Sequence, residues 1–212
     1  MVIILVLMKV DYGMLSILLL GDSIMYEAKG IHGYGYYLKQ MLEGKADVYL
    51  PTDNCQDIRY LYSFADELIP QIDGEFDLIH WNSGLWDVLH FAGNPKPYTD
   101  IKTYGQHIDK FFQVLKQRYP MARIFFATTT PVPEHLQRTT SYRRNSEIIE
   151  YNSLAKSVLQ GKVDSLDDLF SVASRLGDDY RASNGLHFSE GGSKQLAIAV
   201  CDFLNHQMKN HN

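Results

Sequence analysis

The sequence predicts an α/β protein: a mainly parallel sheet with helices packed on both faces. Three observations predict it. Short apolar runs alternate with helical patterns five times along the chain, as in successive βαβ units. The first convincing run, Leu15 to Leu20, is almost wholly apolar, the reading of a strand buried on both faces. Each run stops in turn chemistry, the first at Gly21-Asp22-Ser23. The totals agree with one domain of this kind: 212 residues, 45% hydrophobic and 21% charged, ordinary for a globular chain.

In order, the first strand is followed by a loop over Ile24–Gly30 and a helix around His32–Leu42, stopped near Gly44. Ala46–Leu50 reads as the second strand, ended by Pro51. Gln56–Ile69 reads as one helix, with Ile58, Leu61, Tyr62, Ala65, Leu68 and Ile69 on one face. Phe76–Trp81 is the third strand, ended by Asn82-Ser83-Gly84. Asp100–Arg118 is a helix whose apolar stripe holds Ile101, Tyr104, Ile108, Phe111, Phe112 and Leu115. Ala122–Thr128 is the fourth strand; Pro131 and Pro133 take the chain out of the sheet. Glu134–Ser141 reads as a polar loop and Asn145–Leu159 as a helix. Val163–Leu169 is a short fifth strand or an irregular stretch. Ser171–Gly185 reads mostly as loop, and Ser189 caps a last helix over Glu190–Gln207.

The domain division that follows is an N-terminal extension over 1–13 and a single domain over 14–212. Met1 to Met8 is nearly all apolar, but it has no basic leader and no small-residue cleavage site, and it is shorter than the about 20 residues of a membrane span. The reading favoured is a cytoplasmic protein, with secretion as the alternative. Net charge is −5, which argues against non-specific nucleic-acid or anionic-membrane binding. Cys55 and Cys201 form no C-x-x-C pair, and the eight histidines show no metal-ligand spacing. No metal site or disulfide framework is suggested. Nothing in the chain reads out an oligomeric state.

In a parallel sheet the strand ends open on one side, where ligands of α/β folds bind. The segments brought there carry Ser23, Asp53-Asn54-Cys55, Asn82 to Asp87, and Thr128–Pro133. Asn184-Gly185-Leu186-His187 precedes the last helix. Acyl transfer needs this inventory: a hydroxyl, an imidazole base, an orienting group for it, and donors for an oxyanion.

In their order, Gly21-Asp22-Ser23, Gly84-Leu85-Trp86-Asp87 and Asn184-Gly185-Leu186-His187 resemble the sequence blocks of the SGNH, or GDSL-type, hydrolases. The resemblance spans nearly the whole chain after Met14. It implies a flavodoxin-like three-layer α/β/α fold and ester hydrolysis without a cofactor, with Ser23 as nucleophile and His187 as general base on a small-molecule ester. An acetylated carbohydrate is the suggested substrate. It also implies that the Ser23 and Gly84 backbone N–H groups help form the oxyanion hole. Three positions depart from the pattern. Trp86 stands where the family has its oxyanion Asn, so Asn82 or Asn54 is left to supply an amide. The second block lacks its Gly, so Asn54 or Cys55 would present the backbone N–H. Asn184 stands where the family has Asp; an amide oxygen can orient His187 but brings no charge. Asp178 and Asp179 are other conceivable orienters. Asp22, Trp86 and Asp87 are assigned to the substrate pocket. The departures leave a second reading open, a ligand-binding protein on the same fold with catalysis lost.

Overall fold

A computed structural model describes residues 14–28, 30–138 and 140–209; the N-terminal extension lies outside the described residues. Five parallel strands form the central sheet: β1 (Leu15–Leu20), β2 (Ala46–Tyr49), β3 (Leu78–Trp81), β4 (Arg123–Ala127) and β5 (Ser165–Asp167). Their spatial order is β2-β1-β3-β4-β5. This is the flavodoxin-like arrangement, whose strand order reverses between β1 and β3 and so opens a crevice at their carboxyl ends. The register sets Leu20 beside Trp81, Trp81 beside Phe126 and Ala127 beside Asp167. The ends of β1, β3, β4 and β5 therefore lie on one edge. The fifth apolar run, open between strand and irregular coil in sequence, is a strand.

The helices are α1 (Tyr34–Met41), α2 (Ile58–Ser63), α3 (Ala65–Leu68), α4 (Ile101–Arg118), α5 (Asn145–Leu159), α6 (Leu169–Ser174) and α7 (Glu190–Lys209). Helices α1 and α6 pack on α7, while α4 packs on α2 and α5. The two groups cover opposite faces of the sheet and complete three layers. The core runs through both faces. Ile17, Leu18, Leu19 and Leu20 are wholly buried, as are Trp81, Phe125 and Phe126. The Trp81 ring meets Phe111 of α4 at 5.1 Å and Phe126 at 4.8 Å, both edge to face. No helix among the described residues is long and apolar enough to cross a membrane.

Two sequence expectations change. The helix expected over Gln56–Ile69 is broken at Phe64 (φ −115°, ψ 26°). Its second half bends back because Thr52, in the turn after β2, donates its N–H to the Leu68 carbonyl and its hydroxyl to the Glu67 carbonyl. The loop expected over Ser171–Gly185 contains the end of α6 and a 3-10 turn at Asp178–Tyr180. Asp168 caps α6 by accepting from the Ser171 N–H and from the Ser171 hydroxyl (2.7 Å). Asp-x-x-Ser was the readable signal for that start. The loop after β4 also holds more order than expected. Ser141–Tyr142 pairs antiparallel with His90–Phe91.

Candidate active site

Ser23 follows β1 after two residues. The turn is built by Asp22, whose carboxylate accepts the Ile24 N–H (2.9 Å) and whose carbonyl accepts from Met25 and Tyr26. It holds the Ser23 hydroxyl above the sheet edge, 7% exposed. His187 comes from the far end of the sequence. A tight turn over 184–187, with Gly185 at φ +69°, returns the chain to the start of α7. The His187 ring is thereby delivered with Nε2 2.8 Å from Ser23 Oγ. On its other side Nδ1 lies 2.9 Å from Asn184 Nδ2, and Asn184 Oδ1 accepts the N–H groups of Leu186 and His187 at 3.0 Å each. A hydroxyl, an imidazole and an amide thus stand in line at the carboxyl edge of the sheet, within the reach proton transfer needs.

A cavity of about 140 Å³ opens beside this line. It is lined by Gln137, Arg138, Ser141, Arg143, Asn184 and His187 among others. Arg143 is a residue that local sequence patterns did not single out. It is 7% exposed, and its Nε donates to the Leu85 carbonyl at 2.6 Å. The Gln137 side chain clasps its backbone through two bonds of 2.7 Å. Burial lowers its guanidinium to about 10, while the Asp22 carboxylate pulls it up. No pattern in Tyr142-Arg143-Arg144 announces this, because Arg143 directly follows Ser141–Tyr142, which pairs with the distant His90–Phe91 as a ribbon only in the fold. That ribbon is held by His90 Nε2 at 2.7 Å from a Glu147 carboxylate oxygen and by a parallel stack of His90 on Tyr142.

Several assigned residues take other places. The Cys55 N–H donates to the Gly21 carbonyl (3.2 Å) and is not available to an oxyanion. Its thiol is buried and pushed up to about 12 by that burial. The same bond draws the Asn54–Cys55 turn against the end of β1. Asn54 donates its backbone N–H to Asp53 (2.6 Å) and accepts the Gln56 N–H on Oδ1 (2.9 Å), which leaves its Nδ2 as the group a ligand could use. Asn82 Nδ2 donates to the Ala127 carbonyl (3.0 Å), tying β3 to β4, and its side chain lines a separate cavity of about 10 Å³ together with Asp22 and Tyr34. Asp22 thus braces the nucleophile turn and lines this small cavity rather than the one beside His187. Burial raises it to about 6, against the Ile24 N–H and the charge of Arg143.

Asp87 is likewise fully buried. It accepts the Ile58 N–H on both oxygens and the Ser83 hydroxyl, so it ties the loop after β3 to the start of α2. Burial, with the Asp57 charge second, raises it to about 7. Trp86 is half-buried and lines neither cavity. Gly84 has φ +148°, and a Cβ there would stand 2.3 Å from Thr129 Oγ1, so close packing accounts for this glycine. Asp178 accepts from His135 at 3.1 Å in an exposed pair, apart from the Asn184–His187 contact.

No protein-family model matches the chain. The GDSL esterase/lipase CPRD49 of Arabidopsis thaliana is 25% identical over 195 residues, which covers 86% of this chain and 75% of the relative. The lipase/acylhydrolase of Enterococcus faecalis superposes with a TM-score of 0.70 at 16% identity, covering 92% of this chain and 97% of the other. The acetyl xylan esterase AlAXEase superposes with a TM-score of 0.68 at 16% identity, covering 90% of this chain and all of that one (100%). In fold and in sequence the chain is similar to hydrolases of the SGNH/GDSL type.

Proposed function

We propose that the chain is a serine ester hydrolase in which Ser23 attacks the ester carbonyl and His187 handles the proton. The observation that carries this reading is the 2.8 Å contact between Ser23 Oγ and His187 Nε2 at the carboxyl edge of a parallel sheet. Ser23 Oγ adds to the carbonyl carbon, and its proton passes to His187. The tetrahedral intermediate collapses as His187 returns the proton to the departing alcohol oxygen. Water then repeats the sequence on the acyl-enzyme and frees Ser23. The backbone N–H of Ser23 and the Asn54 amide are the donors assigned to the oxyanion. One such donor is worth about 10²–10³ in rate in a comparable site.

The substrate assigned is a short acyl ester of a polar alcohol, such as an acetylated carbohydrate. The narrow cavity beside His187, walled by Gln137, Arg138 and Arg143, suits an acetyl group and hydroxyl-rich surroundings better than a long acyl chain. Likeness in fold to an acetyl xylan esterase supports the same choice. The test is hydrolysis of p-nitrophenyl acetate against the octanoate, with fluorophosphonate labelling read by intact mass. The expected result is a preference for acetate, labelling of the wild type, and loss of both activities in Ser23→Ala. Activity that survives in a folded Ser23→Ala protein removes Ser23 from the role.

A further inference from the structure

Asn184 is held by more than its contact with His187. Its Oδ1 accepts two backbone N–H groups, those of Leu186 and His187, at 3.0 Å each. Only the oxygen end of an amide can accept. Turning the group over would set its NH₂ against two N–H donors. The network therefore assigns the amide ends, and Nδ2 is the end that faces His187 Nδ1 at 2.9 Å. Nδ2 can only donate, so Nδ1 must present its lone pair. In a neutral imidazole the proton then sits on Nε2, and Nε2 is the atom 2.8 Å from Ser23 Oγ.

We infer that Asn184 is a positioning residue that holds His187 in the tautomer whose Nε2–H donates to Ser23, so that the resting site is a restrained hydrolase whose imidazole lone pair, on Nδ1, faces away from its nucleophile. This inference rests on the ester-hydrolase reading and describes the regulation of that same site. To accept the Ser23 proton, Nε2 must first release its own proton to bulk water, and Nδ1 must take one up from bulk water. The Asn184 amide must rotate so that Oδ1 receives the Nδ1–H, which breaks both backbone bonds. A carboxylate in the same place needs no rotation. One oxygen can keep the two backbone N–H groups while the other accepts the Nδ1–H. The single change Asn184→Asp, which alters one atom of the side chain, therefore reverses the tautomer and adds the charge that stabilises the imidazolium.

The test reads the ring nitrogens of His187 by ¹⁵N NMR in the wild type and in Asn184→Asp, beside kcat/KM on p-nitrophenyl acetate. The expected wild-type spectrum has a pyridine-type Nδ1 and a pyrrole-type Nε2, and the variant has the reverse. The expected kcat/KM rises by about 10²–10⁴-fold in Asn184→Asp, mostly in kcat; the converse change in a serine protease lowers kcat by about 10⁴. A pyrrole-type Nδ1 in the wild type overturns the inference without any variant, so a variant that fails to fold does not shield it. A folded Asn184→Asp protein with an unchanged tautomer or no gain in rate also overturns it. Failure of the hydrolase reading is seen separately, as esterase activity that survives Ser23→Ala.

Discussion

A Cβ at position 185 would come within 2.3 Å of the Leu136 carbonyl oxygen, at a backbone φ of +69°. Both facts require glycine there, since an L-residue in that region is strained and the neighbour is backbone. Gly185 lies between the amide of Asn184 and the ring of His187, so a shift there moves both. Gly185→Ala is expected to lower kcat/KM on p-nitrophenyl acetate by about 10²-fold, the scale of a displacement near 1 Å, and to lower the melting temperature as well. Full activity in that variant would show that the turn does not set the ring position. At this scale Ser23, His187 and Asn184 were legible, because each lies in an ordered block. Arg143 was not, because nothing near it in sequence says that its guanidinium will be buried against the distant Leu85 carbonyl. The Cys55 N–H was misassigned for a related reason. Its acceptor, the Gly21 carbonyl, is supplied by another strand end.

At the scale of elements, α4 shows how pattern becomes packing. Asp100 caps it by accepting the Thr103 N–H (2.9 Å). Tyr104, Ile108, Phe111, Phe112 and Leu115 recur at helical spacing and are all buried. Phe111 is wholly buried against Trp81 of β3, and its loss leaves a void between helix and sheet. Phe111→Ala is expected to destabilise the fold by about 3–5 kcal/mol, read from urea denaturation. A value below about 1 kcal/mol would mean that the helix relaxes into the gap. The same helix was legible almost to the residue, since its stripe and cap are local. The break at Phe64 was not. The α2–α3 stretch keeps one apolar face in sequence, and only Thr52 reaching the Glu67 and Leu68 carbonyls makes it two helices.

Over the whole molecule, two buried carboxylates set a pH dependence. Asp22 stands near 6 and Asp87 near 7, raised by burial from 3.8. Unfolded, each titrates near 4. Between about pH 4 and 7 the folded chain holds more protons at these two groups than the unfolded chain. Their contribution to stability is thus fully present below about pH 4 and is lost as pH rises through 6 to 7. Melting temperatures from pH 4.5 to 8 are expected to fall more in the wild type than in Asp22→Asn, which keeps an acceptor for the Ile24 N–H but cannot ionise. Parallel curves for the two proteins would remove Asp22 from the effect. The sequence by itself determined the layered α/β architecture, the span of nearly every strand and long helix, and the blocks that carry Ser23 and His187. It could do so because periodicity, caps and turn chemistry act over a few neighbouring residues. Only the tertiary structure decided which donors remain available to a ligand, which carboxylates serve as braces, and which end of the Asn184 amide meets His187. Each depends on hydrogen-bond partners brought together by the fold, and a backbone N–H taken by one carbonyl is no longer available to another acceptor.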